Sequence, residues 1–260
     1  MTEPINPSTR RARITAVTSG KGGVGKTFVA ANLAAALARR GERVLVLDAD
    51  LGLANLDVVL NLHPKITLHD VFTGKHKLED AIVPVAGGFS VLLAGSGMVE
   101  YSRLTPEVRD QLLETIERVT PMFDRVVLDT GAGISDVVLY TLSLAHEILV
   151  VTTPEPTAMT DAYATIKVLA ATQSRRELLL AVNQTLKAGE GRVIRNQLQL
   201  VIDRFVSPEV GTPVKLEFVG ELPSDPAVRE AVQKRQLLLE LYPGSPAALA
   251  VTVLAARMAL

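Results

Sequence analysis

Residues 14–27 read ITAVTSGKGGVGKT, and this stretch decides how the chain folds. The β-branched and apolar run 14–18 predicts a strand, and the alanine- and leucine-rich run 28–40 predicts a helix. The glycine-rich segment between them matches the pattern G-x-x-x-x-G-K-[S/T] at every fixed position. Strand, glycine turn and helix in this order are the structural context that a phosphate-binding loop requires.

This loop has the chemistry of phosphate binding. Glycines let successive main-chain N–H groups point inward at phosphate oxygens, and the following helix adds its positive N-terminal end. Lys26 is predicted to contact the β- and γ-phosphates, and the Thr27 hydroxyl is predicted to ligate Mg²⁺. An ordinary glycine turn is the alternative, but a chance match in a chain of this length is on the order of one per cent. The predicted cofactor-binding residues of the loop are Gly20, Lys21, Gly22, Gly23, Val24, Gly25, Lys26, Thr27 and Phe28.

The composition is that of a globular protein. The 260 residues are 48% hydrophobic and 21% charged, and the net charge of −1 gives no global argument for nucleic-acid binding. The absence of cysteine excludes disulfides and cysteine–metal sites and is compatible with the cytoplasm. No run reaches the roughly 18 apolar residues of a membrane span. We expect a disordered lead at 1–12, which lacks the apolar run of a signal peptide, and a single domain at 13–260.

Strand-like and helical patterns alternate along the chain. Most strand-like runs are continuously apolar, as expected of strands that are covered on both faces. The alternation predicts an α/β fold: a doubly wound, mostly parallel sheet of seven or eight strands with helices on both faces. The predicted strands are 14–18, 43–48, 89–94, 125–129, 148–153, 178–183 and 217–220, and the predicted helices are 26–40, 106–119, 135–145, 157–171, 191–205, 226–234 and 246–258.

Acidic residues follow several predicted strands, at the edge where such sheets bind ligands. Asp48 and Asp50 end the second strand with a spacing that puts both carboxylates on one side. Paired anions beside a triphosphate need a cation among them, and Mg²⁺ held largely through water is the natural candidate. Asp129 ends another apolar strand before a small-residue turn, which is typical of the Walker B motif. The predicted metal-binding residues are Thr27, Asp48, Asp50 and Asp129.

Lys21 stands directly after the first glycine of the loop, where an ordinary phosphate-binding loop needs no lysine. With this lysine, residues 20–27 resemble the deviant Walker A motif of the MinD/ParA class of P-loop ATPases. The resemblance implies a SIMIBI-type P-loop NTPase fold, ATP and Mg²⁺ as cofactors, and an ATP-dependent face-to-face homodimer. In that dimer Lys21 would reach the partner's phosphates, as an arginine finger does. The alternative is a solvated loop lysine that adds only general positive potential.

The resemblance also implies roles for individual residues. It makes Lys21, Lys26 and Asp50 catalytic, with Asp50 orienting the attacking water. Asp48 would support the metal shell. Gly131 stands where the class commonly has Ala or Pro, which predicts a looser second switch loop.

Three further positions have open interpretations. In the MinD/ParA class, an Asn at the place of Asn183 reads the adenine edge, and a Pro-x-Asp loop, here Pro223 to Asp225, closes over the base. A plain turn explains Pro-Ser-Asp almost as well. Asp57 either belongs to the first switch loop or caps a short helix.

The segment 154–169, PEPTAMTDAYATIKVL, resembles the corresponding segment of the FlhG/FleN proteins, and segments 48–62 and 68–83 resemble this subgroup and MinD. The resemblance implies slow, partner-stimulated ATP hydrolysis that controls the placement or number of a cellular structure, with the flagellum as the leading candidate. The partner would then be a flagellar or polar factor. Two alternatives are a ParA-type partitioning ATPase on nucleoid DNA and a hydrolysis-poor, ATP-gated module that sequesters a transcription regulator.

Membrane and DNA association are both disfavoured. The last predicted helix carries one Arg and no bulky aromatic residue, so a buried scaffold helix is preferred over a membrane anchor and membrane association should be weak or absent. We expect a cytoplasmic protein, with a peripheral position at the inner membrane or cell pole left open. A solvated polar face is favoured over nonspecific DNA contact for the late basic residues, which are Arg175, Arg176, Arg192, Arg195, Arg204, Arg229, Lys234 and Arg235.

Overall fold

A computed structural model describes residues 11–52, 55–95 and 103–259. Its core is an eight-stranded sheet, and the strands lie in the order β3-β4-β2-β5-β1-β6-β7-β8. Strand β3 is antiparallel to β4, and every other neighbouring pair among the described strands is parallel. The strands are β1 (Arg13–Ser19), β2 (Val44–Ala49), β3 (Ile82–Pro84), β4 (Ser90–Leu92), β5 (Arg125–Ala132), β6 (Glu147–Thr152), β7 (Glu177–Thr185) and β8 (Lys215–Pro223).

Helices cover both faces of this sheet. One apolar core packs α1 and α9 to α11 against one face, and a second core packs α3 to α8 against the other. The helices are α1 (Lys26–Ala38), α2 (Leu56–Val59), α3 (Leu68–Phe72), α4 (Leu78–Ala81), α5 (Pro106–Val119), α6 (Asp136–Ser143), α7 (Pro156–Thr172), α8 (Glu190–Val201), α9 (Pro226–Gln233), α10 (Leu238–Leu241) and α11 (Pro246–Met258), and a π-helical turn, Ile202–Val206, follows α8.

The predicted fold class is confirmed. All seven predicted strands are present, and the eighth is the short antiparallel edge strand β3. Strand β2 is buried along its whole length, as its continuously apolar sequence requires of a strand covered on both faces. Strand β1 lies at the centre between β5 and β6, so the glycine-rich loop that follows it emerges in the middle of the carboxyl edge.

Most of the predicted disordered lead, residues 1–10, lies outside the described residues. Ala12, at its end, is buried, and its N–H donates to the carbonyl of Thr120 at 2.8 Å. No helix in the described part of the chain is long and apolar enough to cross a membrane. The single domain at 13–260 stays a prediction.

Candidate functional site

The glycine-rich loop is held tightly between α7 and β7. A Cβ atom at Gly20 would overlap the carbonyl group of Asp161 on α7, and one at Gly25 would overlap the side-chain amide of Asn183 on β7. Gly25 also has a φ of 94°, a left-handed conformation that glycine adopts without strain, and it is the N-cap of α1. These two glycines are therefore required by space and by backbone conformation.

The N-terminus of α1 is open to an anion. Among the described residues, no side chain caps this end, and its first turn contains no acidic residue. Its unpaired N–H groups therefore point into the loop, as in a phosphate cradle. Gly22 and Gly23 are exposed, whereas Val24 and Phe28 are buried and can offer only main-chain groups.

Lys26, Thr27 and Asp129 converge beneath this cradle. The Thr27 hydroxyl bonds to the carboxyl group of Asp129, and the charges of Asp129 and Asp50 both act on Lys26. Burial lowers the pKa of Lys26 by more than the charges of the two carboxylates raise it. Burial also raises the pKa of Asp129 to about 6, although the Thr27 bond and the charge of Lys26 lower it.

Asp48 lies beside Asp129 in neighbouring strands, because these residues are in register in the β2–β5 pair. Its two carboxyl oxygens accept the N–H groups of Asp50 and Leu56, each at 3.3 Å. Burial, followed by the charge of Asp129, raises the pKa of Asp48 well above its usual value. Two buried carboxyl groups side by side thus disfavour ionisation unless positive charge is added.

These residues fit a magnesium ion. Asp129 is 3% exposed, and its Oδ1 atom has no hydrogen-bond partner among the described residues. Such a buried orphan oxygen is unusual unless water or an ion completes it. The described residues contain no group of three or more His, Cys, Asp or Glu side chains that could hold a metal. The Thr27 hydroxyl and the orphan oxygen of Asp129 suit Mg²⁺, which keeps several waters and takes few protein ligands.

Lys21 points away from the cradle of its own chain. Its Nζ atom donates to Glu155 Oε2 at 3.1 Å and to Thr157 Oγ1 at 3.0 Å, at the start of α7. Its side chain is 40% exposed, so the ammonium group is accessible at the surface. Neither Glu155 nor Thr157 was predicted as a site residue, because 134 and 136 positions separate them from Lys21.

The predicted adenine contacts have partners inside the protein. Asn183 is 6% exposed; its Nδ2 donates to the carbonyl of Val24 at 2.9 Å, and its Oδ1 accepts the N–H of Gln184. Asp225 caps two helices, because its two oxygens accept the N–H groups of Ala227 and Ala247. Strand pairing places Thr185, after Asn183, beside Pro223, so the two predicted segments do lie together. Contact of these residues with adenine stays a prediction.

Two positions of the predicted switch regions lie in secondary structure. Gly131 is part of β5 and packs between Asp50 and Val138, so the structure shows no loosened loop at this position. Asp57 lies in the first turn of the short helix α2, and its Oδ1 accepts the N–H of Val58 at 2.8 Å. The N-cap position of α2 is Asn55.

Several of the late basic side chains bind their own chain. Arg175 donates to main-chain carbonyls at the end of α6, and Arg195 donates to Leu216 O at 2.8 Å. These contacts agree with a polar structural role for the two side chains.

Comparisons with known proteins agree with this geometry. Residues 10–259 match the ParA family model, described as "NUBPL iron-transfer P-loop NTPase". The chain is 42% identical over 246 residues to the antiactivator FleN of Pseudomonas aeruginosa, covering 95% of this chain and 86% of FleN. It is 34% identical over 229 residues to the flagellum site-determining protein YlxH of Helicobacter pylori, covering 88% and 75%.

A solved structure shares the fold over nearly the whole chain. The septum site-determining protein MinD of Pyrococcus horikoshii, complexed with Mg-ADP, superimposes with a TM-score of 0.74 at 28% identity. The match covers 95% of this chain and 96% of MinD. The sequence has no cysteine, the usual ligand of iron–sulfur clusters.

Proposed function

This chain belongs to the ParA family of P-loop NTPases, and we propose that it is a Mg²⁺-dependent ATPase that switches between a monomer and an ATP-bound dimer. It would hydrolyse ATP to ADP and phosphate, slowly and with stimulation by a protein partner. The observation that carries this proposal is the convergence of Lys26, Thr27 and the orphan oxygen of Asp129 beneath an uncapped helix N-terminus.

The proposed roles follow from this geometry. The main chain from Gly20 to Phe28 and the ammonium group of Lys26 would hold the phosphates. Thr27, Asp48, Asp50 and Asp129 would hold Mg²⁺, partly through water. The ion would supply the positive charge that two adjacent buried carboxylates and a triphosphate need. Asp50 would orient the attacking water.

Asn183 has two candidate roles, adenine contact or support of the phosphate-binding loop through Val24. The affinities of Asn183→Ala for ATP and GTP distinguish them. A changed ratio indicates base reading, whereas an equal loss indicates loop support.

Lys21 supports the dimeric part of the proposal. Its ammonium group lies at the surface and binds Glu155 and Thr157 instead of the cradle beside it. In a face-to-face dimer these exposed contacts could be exchanged for the partner's phosphates. An ion pair this exposed contributes only about 0 to 1 kcal/mol to stability. Breaking the Lys21–Glu155 pair in favour of the partner's phosphates would therefore cost little free energy.

A surface next to Lys21 supports stimulation by a protein partner. A largely apolar groove of about 500 Å³ runs between α7 and α8, beginning at Pro154 and Pro156, on either side of Glu155. A protein bound there would touch the start of α7, which holds Lys21. Membrane and DNA association are not part of this proposal.

The proposed cellular role is control of the number or position of flagella. It rests on the similarity to FleN and YlxH, whose names describe an antiactivator and a flagellar site-determining protein. The competing proposals are a ParA-type role on nucleoid DNA and a hydrolysis-poor module that sequesters a transcription regulator. Salt-sensitive, ATP-dependent DNA binding would favour the first, and ATP-dependent dimerisation without turnover would favour the second.

The central test uses Asp50→Ala and Lys21→Ala. Asp50→Ala should bind ATP and accumulate as a dimer, seen as a doubled mass by light scattering, because hydrolysis no longer resets it. Lys21→Ala should bind ATP with unchanged affinity but fail to hydrolyse it. A protein that binds no adenine nucleotide with Mg²⁺, or that stays monomeric with ATP at every concentration, contradicts the proposal. The trapped dimer also serves as bait for partners.

A further inference from the structure

A largely apolar groove of about 430 Å³ lies between the segment after α2, the β3–β4 turn and the loop that joins α9 to α10. Leu237 forms a buried part of its wall, and Leu60, Leu62, Val85 and Leu241 are half-buried there. These side chains belong to, or pack against, the apolar core on the α1 side of the sheet, whereas α7 and α8 cover the opposite face. The groove is therefore a different surface from the one between α7 and α8.

The shape of this groove is held by contacts within the chain. Gly87, in the β3–β4 turn, has a φ of 92°, and a Cβ atom there would lie 2.8 Å from Leu237 Cδ1. The carbonyl of Leu239 accepts Arg39 Nη2 at 2.9 Å, and the N–H of Leu239 donates to the buried Asn32 Oδ1 on α1 at 3.3 Å. A groove held in this way needs little rearrangement on binding, so less free energy is lost to ordering.

Arg235, at the rim of the groove, has a backbone conformation that costs stability. Helix α9 ends in a Schellman motif: the N–H of Gln236 donates to the carbonyl of Ala231 at 3.0 Å, and the N–H of Arg235 donates to that of Val232 at 3.1 Å. The left-handed residue of this motif is usually glycine, whereas here it is Arg235, with a φ of 53°. Glycine would hold this turn with less strain, so stability does not explain an arginine at this position.

The charge of Arg235 is available to a ligand. Its side chain is exposed and has no hydrogen-bond or ionic partner among the described residues. Glu240, the acidic residue among the described lining residues, is paired with Arg39 at 2.5 Å. The groove thus offers apolar walls beside one uncompensated cation, and a guanidinium group can bind a carboxylate through two parallel hydrogen bonds.

We propose that this groove is a docking site for a segment of a partner protein that presents apolar side chains next to an Asp or Glu. The apolar side chains would fill the space between the segment after α2 and Leu241, and the carboxylate would bind Arg235. A short helix or loop carries both kinds of group close together, as other groove-bound segments do. The proposal goes beyond the ATPase function and does not depend on it, because none of the described lining residues is a proposed nucleotide- or metal-binding residue.

Peptides displayed on phage test this inference with the nucleotide-free protein. A library of random peptides about 12 residues long, enough for a groove-bound segment, is first depleted on Ala86→Trp and then selected on the unmutated protein. Ala86 is exposed and lines the groove, so the added indole ring occupies the groove without entering the core. We expect the selected peptides to share an Asp or Glu beside apolar residues. As synthetic peptides they should bind Arg235→Gly at least about ten-fold more weakly, because a hydrogen bond between charged groups is lost.

Two variants separate recognition from stability. Arg229→Ala is the matched control: Arg229 is an exposed arginine of α9 that is not among the lining residues, so the peptide affinity should stay within about two-fold. Arg235→Gly should unfold at a higher urea concentration than the unmutated protein, because glycine relieves the left-handed strain. Its loss of peptide binding then does not come from unfolding. If Ala86→Trp does not fold, Ala86→Phe, with a smaller ring, replaces it in the depletion step.

Any of four outcomes would overturn the inference: no peptide that distinguishes the unmutated protein from the blocked variant, selected peptides without an acidic residue, equal peptide affinity in Arg235→Gly, or a lower urea midpoint in that variant. A nucleotide-free dimer that Ala86→Trp abolishes, seen by light scattering, would assign the groove to a second copy of this chain instead. ATP hydrolysis enters none of these measurements, so failure of the inference and failure of the proposed function are distinguishable.

Discussion

The carboxyl group of Asp129 is the least satisfied acidic group of the site. It is buried, and its Oδ1 atom has no partner among the described residues. Burial raises its pKa to about 6, so the free protein near neutral pH holds a carboxylate in surroundings that disfavour the charge. The ligand-free site is therefore destabilised by the group that a cation would use.

The variant Asp129→Asn tests whether the buried carboxylate destabilises the ligand-free protein. Between pH 3.8 and about 6 the folded protein holds a proton on Asp129 that the unfolded chain has released, so the free energy of unfolding falls as the pH rises through this window. We expect nucleotide-free Asp129→Asn to be more stable than the unmutated protein at pH 7.5, by up to about 3 kcal/mol, and equally stable at pH 3.5. Urea unfolding at both pH values is the measurement. If the variant is less stable than the unmutated protein at pH 7.5, the carboxylate of Asp129 does not destabilise the ligand-free site.

With the proposed role of Asp129 in holding Mg²⁺, the affinity for the cofactor should depend on pH in the opposite direction. Mg²⁺ requires the ionised carboxylate, so the affinity for Mg-ADP should weaken as the pH falls through about 6. Titration calorimetry from pH 5 to 8 measures this dependence. Asp129→Asn should bind Mg-ADP weakly and without that dependence, and a step near pH 6 that survives in this variant belongs to another group.

At the scale of elements, one carboxylate joins two helices. The Oδ1 atom of Asp225 caps α9 through Ala227 at 2.9 Å, and its Oδ2 atom caps α11 through Ala247 at 3.0 Å. A side chain oxygen at a helix N-terminus satisfies an N–H group that the helix cannot pair. The Pro-x-Asp segment is thus a joint between two helices, whether or not it also touches adenine.

Asp225→Ala should cost about 2 kcal/mol of unfolding free energy, roughly the sum of two helix caps. Urea unfolding gives the value. Ser245→Ala is the control, because the Ser245 hydroxyl caps only one helix, α11, by accepting the N–H of Ala248. We expect the control to lose at most about 1 kcal/mol. Equal losses in the two variants would mean that Asp225 does not bridge the helices.

At the scale of the whole molecule, the two ends of the parallel strands carry different groups. The phosphate-binding loop and the acidic residues lie at the carboxyl ends of the strands, whereas a buried ion cluster lies at their amino ends. Arg125, which is 0% exposed, binds Glu42 at 2.9 Å and Glu147 at 2.8 Å, and donates to Thr15. It also donates to the carbonyl of Met258 at the end of α11. One side chain thus connects β5 with β1, β6 and the last helix.

Removal of this side chain should test stability without touching the site. Arg125→Ala removes a fully buried cation from its pairs with Glu42 and Glu147 and should cost up to about 3 to 5 kcal/mol, less whatever the remaining Arg13–Glu147 pair at 2.7 Å retains. Arg43→Ala is the control, because Arg43 pairs with Asp124 at the surface, 61% exposed, where a pair contributes about 0 to 1 kcal/mol. Folded Arg125→Ala should bind Mg-ADP with unchanged affinity. Loss of binding at a temperature where it is fully folded would show that the two ends of the strands are coupled.

Features encoded within one short segment could be predicted from the sequence. The seven predicted strands, the loop before α1 and the order of acidic residues along the chain all depend on neighbours in sequence. Strand β3 and helices α3, α4 and α10 were not predicted, and a short helix at α2 was only one of two interpretations of Asp57, because segments of three to five residues are too short to show a period. Gly131 was interpreted as loosening a loop, but it lies in β5, close to Asp50, the residue after β2, and to Val138 of α6.

The sequence by itself determined the α/β class, the phosphate-binding loop and the candidate residues, because glycine geometry and apolar periodicity act over a few positions. Only the tertiary structure decided which of these residues meet. It brought Lys21 to Glu155, Asn183 to Val24 and Arg125 to Met258, across separations of 133 to 159 positions. Such contacts arise from the way helices pack on a twisted sheet, and this packing minimises buried, unpaired polar groups over the whole chain at once.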